Sequence, residues 1–153
     1  MTLYIIGKVI EVYGYNAEII KVMDKHDIIN SFVEGNNKIV RGLGFLVIMA
    51  IEELVFRYYL VGLLFIQSHL GEILVILISS LIFSIFHIHT WFSYRNFRIL
   101  AIFLIYSFFL GLFNGYLLLT VGIIPCILVH CILAYVLYYG IYTRYFKVKT
   151  KKK

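Results

Sequence analysis

Charge is scarce in this chain of 153 residues: Asp, Glu, Lys and Arg make up 14% of it and hydrophobic residues 62%. Soluble domains carry about 25% charged residues, so the shortage argues against a water-soluble globule. Strict alternation of apolar and polar residues is also missing, which sets aside a membrane barrel. The two cysteines, Cys126 and Cys131, lack C-x-x-C spacing and share one apolar stretch. They read as small buried hydrophobes rather than as a disulfide or redox pair. Lys8 and Glu11 interrupt the first apolar run, and no small-residue cleavage site follows it, so no cleavable signal peptide is expected. Net charge is +6, but no RNA- or DNA-binding motif accompanies the basic residues. Nucleic acid is therefore not an expected partner. There is no internal repeat, and the lysine-rich tail is the sole low-complexity segment.

What is present is a succession of long apolar stretches, each approaching the ~20 residues needed to cross a bilayer core. With barrels set aside, helices are the backbone that satisfies its own hydrogen bonds in lipid. The composition thus predicts an all-α, polytopic membrane bundle. Four transmembrane helices are expected over residues 42–66, 73–89, 99–119 and 122–142, forming a core of residues 42–143. Residues 1–41 mix charges with apolar residues at roughly helical spacing, as in Ile6, Ile10 and Tyr13. They are expected to form an amphipathic, interfacial segment, with a worn extra span as the alternative. Residues 144–153 form a basic tail suited to anionic lipid. Every Lys and Arg except Arg57 falls on one side of a four-span arrangement, so both termini are expected in the cytoplasm. The membrane would be the plasma membrane of a prokaryote or the endoplasmic reticulum of a eukaryote. Trp91 and Tyr94 fit the cytoplasmic interface.

Ionisable groups inside a span cost at least ~2.5 kcal/mol each, so each needs a reason. The candidates are Glu52, Glu53, Arg57, His87 and His130. Glu53 and Arg57 stand four residues apart on one helix face and can neutralise each other. Glu52 is turned ~100° away and has no such partner, so it should face a polar cavity. At ~1.5 Å per residue, Glu52, His87 and His130 lie within ~10 Å of each other in height. Two imidazoles and a carboxylate at one depth suit either a hydrolytic or a metal site. His89 points nearly opposite to His87 and sits at the cytoplasmic end, where a polar ring meets headgroups.

These stretches together resemble a known family. "EELVFR" (52–57) is similar to an E-E-x-x-x-R motif, "FSIFH" (83–87) to F-x-x-x-H, and "FLGLFNGYLLLTVGIIPCILVHCILAY" (109–135) to the family's last helices. The family is the CPBP group of intramembrane proteases, also called the Abi or CAAX-protease family. It includes the endopeptidase that trims prenylated CAAX proteins and many bacterial members linked to bacteriocin self-immunity. The resemblance, over about residues 45–140, implies that Glu52 activates the attacking water. His87 would hold or polarise that water, His130 would support it or the oxyanion, and Glu53 and Arg57 would orient the site. One position departs from the pattern. Where the family commonly has H-x-x-x-N, Ala134 stands four residues after His130. Losing one oxyanion donor lowers a rate ~10²–10³-fold. Asn114 is a candidate substitute.

The family is often labelled metalloprotease, and Glu52, His87 and His130 could ligate Zn²⁺. Glu52 would then not be free as a base, so a glutamate-activated water without a required cofactor is the preferred expectation. The leading functional expectation is an endopeptidase acting on a membrane-embedded or lipidated peptide. The alternatives are a non-catalytic family member in binding or immunity, and a transporter or proton relay using the buried Glu and His.

Overall fold

A computed structural model describes residues 38–150 together with Ile19 and Val22, and gives the backbone alone for 38–42, 138 and 141–150. The first expected span is the middle of a longer rod. It consists of α1 (Lys38–Glu53), a π-helical stretch (Leu54–Tyr59) and α2 (Leu60–Ser68), joined without a break. In the π stretch the backbone bonds run five residues back, as from the Leu60 N–H to the Val55 carbonyl. Such wide turns cluster at functional sites. His69, in the left-handed conformation (φ 51°), ends the rod, and Gly71 leads into α3 (Glu72–Phe86). After a turn and the short α4 (His89–Tyr94), two long helices follow, α5 (Phe97–Val121) and α6 (Ile123–Thr150). Gly122 alone separates them, at φ 99°, a conformation that favours glycine. Pro125 sits in the first turn of α6, where its missing N–H leaves no bond unmade. Among the described residues there is no strand.

The expected span 73–89 lies within the apolar stretch Glu72–Tyr94, but its helix is not regular throughout. The helix stops at Phe86, because the His87 side chain takes over the carbonyl that would continue it. His87 Nδ1–H donates to the Phe83 carbonyl at 2.9 Å, and the His87 backbone N–H is diverted to Ser84, at 3.0 Å. Ile88 bonds three residues back to Ile85 in the same way, at 2.9 Å. A side chain competing for backbone acceptors thus tightens and ends the helix.

The helices pack through small residues. A Cβ on Gly111 of α5 would come within 2.9 Å of the Ser80 Cβ on α3, and one on Gly115 within 2.9 Å of the Ile76 side chain. This small-x-x-x-small face brings α3 and α5 into close contact, as in membrane helix pairs. Ser84 Oγ adds a bond across the interface to the Leu104 carbonyl, at 2.7 Å. Asn114 and Cys126 tie α5 to α6 reciprocally: Asn114 Nδ2 donates to the Cys126 carbonyl at 3.1 Å, and Cys126 Sγ to the Asn114 carbonyl at 3.3 Å. Both cysteines are free thiols, as expected.

The bundle is inverted relative to a soluble protein. Glu53, Arg57, Ser79, Ser80, Asn114 and His130 are buried, whereas Ile73, Leu77, Leu81 and Ile85 of α3 and Ile124, Leu128 and Ile132 of α6 are exposed at roughly four-residue spacing. Water would penalise such a surface and hydrocarbon would not. Glu72–Tyr94 and Phe97–Val121 are long and apolar enough to cross a membrane, and Ile123–Leu137 is a shorter apolar helix. The N-terminal assignment to residues 1–41 falls largely outside the described residues. Ile19, however, is buried with Phe56, Phe83, Ile99, Tyr106, Leu110 and Leu137, and Val22 packs against that cluster.

Candidate active site

The ionisable residues of α1, the π stretch and α6 meet in the bundle interior. Arg57 lies in the wide turn and Glu53 just before it, and both side chains are 0% exposed. Arg57 Nε lies 3.5 Å from Glu53 Oε2, the ion pair that their spacing predicts. None of the guanidinium nitrogens has a hydrogen-bond partner. The cation is instead balanced by the Glu53 charge and by the Phe83 ring, whose centre lies 4.3 Å from Arg57 Cζ.

Glu53 is not committed to Arg57 alone. Its other oxygen, Oε1, accepts a hydrogen bond from His130 Nδ1 at 2.8 Å, across 77 residues of sequence. With the Nδ1 proton engaged, the neutral ring presents its Nε2 lone pair outward. That Nε2 lies 3.9 Å from Glu52 Oε2. The Glu52 side chain is 16% exposed, and its Oε2 is buried without a hydrogen-bond partner. Glu52 therefore faces inward to His130, as the missing helix partner implied.

His87 stands on the far side of Phe83. The Phe83 ring, fully buried, touches His87 edge-on at 4.9 Å between centroids and His130 at 5.9 Å. Phe83 is thus the hub that spaces two imidazoles and supports the guanidinium. His87 donates its Nδ1–H to the Phe83 carbonyl, so its Nε2 is also the free nitrogen. Glu52, Glu53, Arg57 and His130 are brought together, and His87 joins them through one aromatic ring.

Three expectations need correction or addition. Glu52, His87 and His130 do not form a metal-ligand set: among the described residues, no three His, Cys, Asp or Glu side chains are placed to share an ion. Asn114 is engaged with the α6 backbone and is fully buried there, so it fastens the helices rather than serving as a spare donor. His89 does not point away from His87. The two rings are 5.8 Å apart, because the turn at His87–Ile88 resets the direction of the chain. Its Nδ1–H is held by the Phe86 carbonyl at 2.9 Å. The H-x-H spacing was legible, but the break that makes it converge depends on a side-chain hydrogen bond. Ala134, one turn beyond His130, is buried and adds no polar group.

A family model described as type II CAAX prenyl endopeptidase Rce1-like matches residues 36–136, a stretch that includes Glu52, Glu53, Arg57, Phe83, His87 and His130. No curated protein and no solved structure matches the chain. A buried Glu-Glu-Arg-His cluster, an inverted helical bundle and a matching stretch of about two thirds of the sequence agree with one another, and the chain belongs to the Rce1-like family of type II CAAX prenyl endopeptidases.

Proposed function

We propose that this protein is a four-span intramembrane endopeptidase with both termini in the cytoplasm. Its substrate class is a membrane-associated peptide, of the CAAX-type prenylated kind that the family name indicates. The observation that carries the proposal is the facing pair Glu52 Oε2 and His130 Nε2, 3.9 Å apart. Both are hydrogen-bond acceptors, and one water can give a hydrogen to each. Held so, its lone pair is left free to meet a carbonyl carbon.

Glu52 takes one proton as the water attacks, and a tetrahedral intermediate forms. The same carboxyl then returns that proton to the leaving amine as the C–N bond breaks. His130 holds the water's second hydrogen. Glu53 fixes the His130 tautomer, so that Nε2 keeps its lone pair for the water, much as the carboxylate of a hydrolytic triad orients its imidazole. Arg57 in turn balances Glu53. His87 Nε2 is assigned to the substrate side of the same water. Metal chemistry is given no step, because the candidate ligands do not converge.

Cleavage of a farnesylated CAAX peptide by purified protein in liposomes tests the proposal. Wild type is expected to cleave, Glu52→Gln to lose activity, and a chelator to leave the wild-type rate unchanged. Equal cleavage by wild type and Glu52→Gln would remove Glu52 as the base. Loss on chelation would replace the metal-free mechanism.

One observation favours a second function. Ala134 removes a polar group beside His130, and Asn114 is engaged elsewhere. A folded wild-type protein that cleaves no such peptide would point instead to a non-catalytic member acting by binding, as in bacteriocin immunity.

A further inference from the structure

The segment joining α3 to α5 carries features that catalysis does not use. Phe92 is 66% exposed and Phe97 is 73% exposed. Arg95, at the end of α4 in the left-handed conformation (φ 49°), folds its guanidinium over the Phe92 ring, 5.7 Å from the centroid. Arg98, the second residue of α5, is exposed as well. Neither arginine pairs with a carboxylate among the described residues. Beyond Glu72 the sequence has no acidic residue, whereas Arg95, Arg98, Arg144, Lys147, Lys149 and Lys151–Lys153 all follow it. The first backbone N–H groups of α5 are already taken by Asn96 Oδ1, which accepts from Arg98 N at 3.0 Å and Ile99 N at 3.2 Å. Any anion here is therefore left to the two side chains.

Among the described residues, two arginines without a carboxylate partner and two exposed phenylalanines share the segment 92–98, which suits a phospholipid with its acyl chain toward the rings and its charged headgroup toward the guanidiniums. We propose that Arg95 and Arg98, with Phe92 and Phe97, form a binding site for one anionic phospholipid of the cytoplasmic leaflet. Phe92 stands on α4, which begins at His89, and Arg95 caps its end, so the bound lipid holds in place the turn that carries His87 and His89. The assignment rests on the membrane insertion proposed above and not on catalysis.

The chain's single tryptophan, Trp91, lies within α4 and reports on the site directly. The experiment reconstitutes the full-length protein in vesicles. It compares quenching of Trp91 by brominated phosphatidylglycerol with quenching by brominated phosphatidylcholine. Quenching by the zwitterionic lipid tests whether α4 meets the bilayer at all. The expected result is quenching by both, with the anionic lipid favoured about three- to fivefold. That preference should fall to about one in R95Q/R98Q and persist in R95K/R98K, and millimolar glycerophosphate in the buffer should leave it intact. A ratio near one in wild type overturns the proposal, as does a preference that survives R95Q/R98Q. Competition by soluble glycerophosphate would reassign the site to a free phosphate ester. Absence of quenching by either lipid would refute the membrane placement itself, independently of any protease assay.

Discussion

Replacing Arg57 with methionine tests how the interior charges are balanced. Methionine keeps much of the length of the side chain and its contact with Phe83 but removes the cation. Glu53, at 0% exposure, then retains one polar partner, His130 at 2.8 Å. Breaking a buried ion pair from one side costs about 3–5 kcal/mol, because it leaves a charge without its counter-charge. Against a total stability of about 5–15 kcal/mol, that is a large fraction. Glu53→Gln alone strands the cation and should be costly too. The double variant Glu53→Gln/Arg57→Met strands neither charge, and the introduced amide can still hydrogen-bond His130. Its loss should fall short of the sum of the two single losses by about 2–3 kcal/mol. Reversible unfolding of the four proteins in one detergent supplies the cycle. Losses that add to within about 0.5 kcal/mol would refute the idea that the pair neutralises itself. The burial of both charges would then need a different cause.

Three further outcomes follow from the geometry. Glu53→Gln can donate to His130 Nδ1 and so place the proton on Nε2, turning the ring's free face from acceptor to donor; kcat should fall about 10²–10⁴-fold with a smaller change in KM, measured on the peptide substrate. Gly111→Leu must push against the Ser80 Cβ and Cα, 2.9 and 3.0 Å from a built Cβ, and should separate α3 from α5, lowering the unfolding midpoint sharply, whereas Gly62→Ala, with open space around it, should not. Ala134→Asn returns a polar group one turn from His130, and is expected to raise kcat by up to about 10²-fold; an unchanged rate in a folded variant would show that this position does not serve the oxyanion.

Much of the fold was legible because lipid imposes simple rules. Helices are required, and a buried charge needs a partner. The i,i+4 spacing of Glu53 and Arg57 therefore named an ion pair that the structure contains, and the absence of such a partner for Glu52 pointed it inward. Gly111 and Gly115 lie in the stretch quoted for the family's last helices, but their mates on α3, Ser80 and Ile76, could not be read from it. Long-range choices were out of reach. Nothing in the local pattern says that Glu53 divides its two oxygens between Arg57 and a histidine 77 residues away. Nor does it say that Asn114 spends its amide on the Cys126 carbonyl. The His87 turn failed for a different reason. Periodicity assumes a uniform helix, and one imidazole competing for the Phe83 carbonyl was enough to invalidate the angle assigned to His89. Depth alone could not say whether Glu52, His87 and His130 meet at one point, because equal height is not convergence.

The wide turn at Leu54–Tyr59 has a consequence for how the rod is indexed. An extra residue in a turn advances everything downstream by ~100° relative to an unbroken α-helix. The face of α1 that delivers Glu52 and Glu53 to the interior and the face of α2 that meets the rest of the bundle are therefore out of phase along one continuous axis. Deleting a single residue within 54–59 would restore regular helix and keep the two halves in their present phase, whereas forcing all six residues into regular helix would rotate one half against the other by ~100°. The half that carries Glu52 and Glu53 and the half that follows Tyr59 are in this sense geared separately, and the wide turn sets the phase between them.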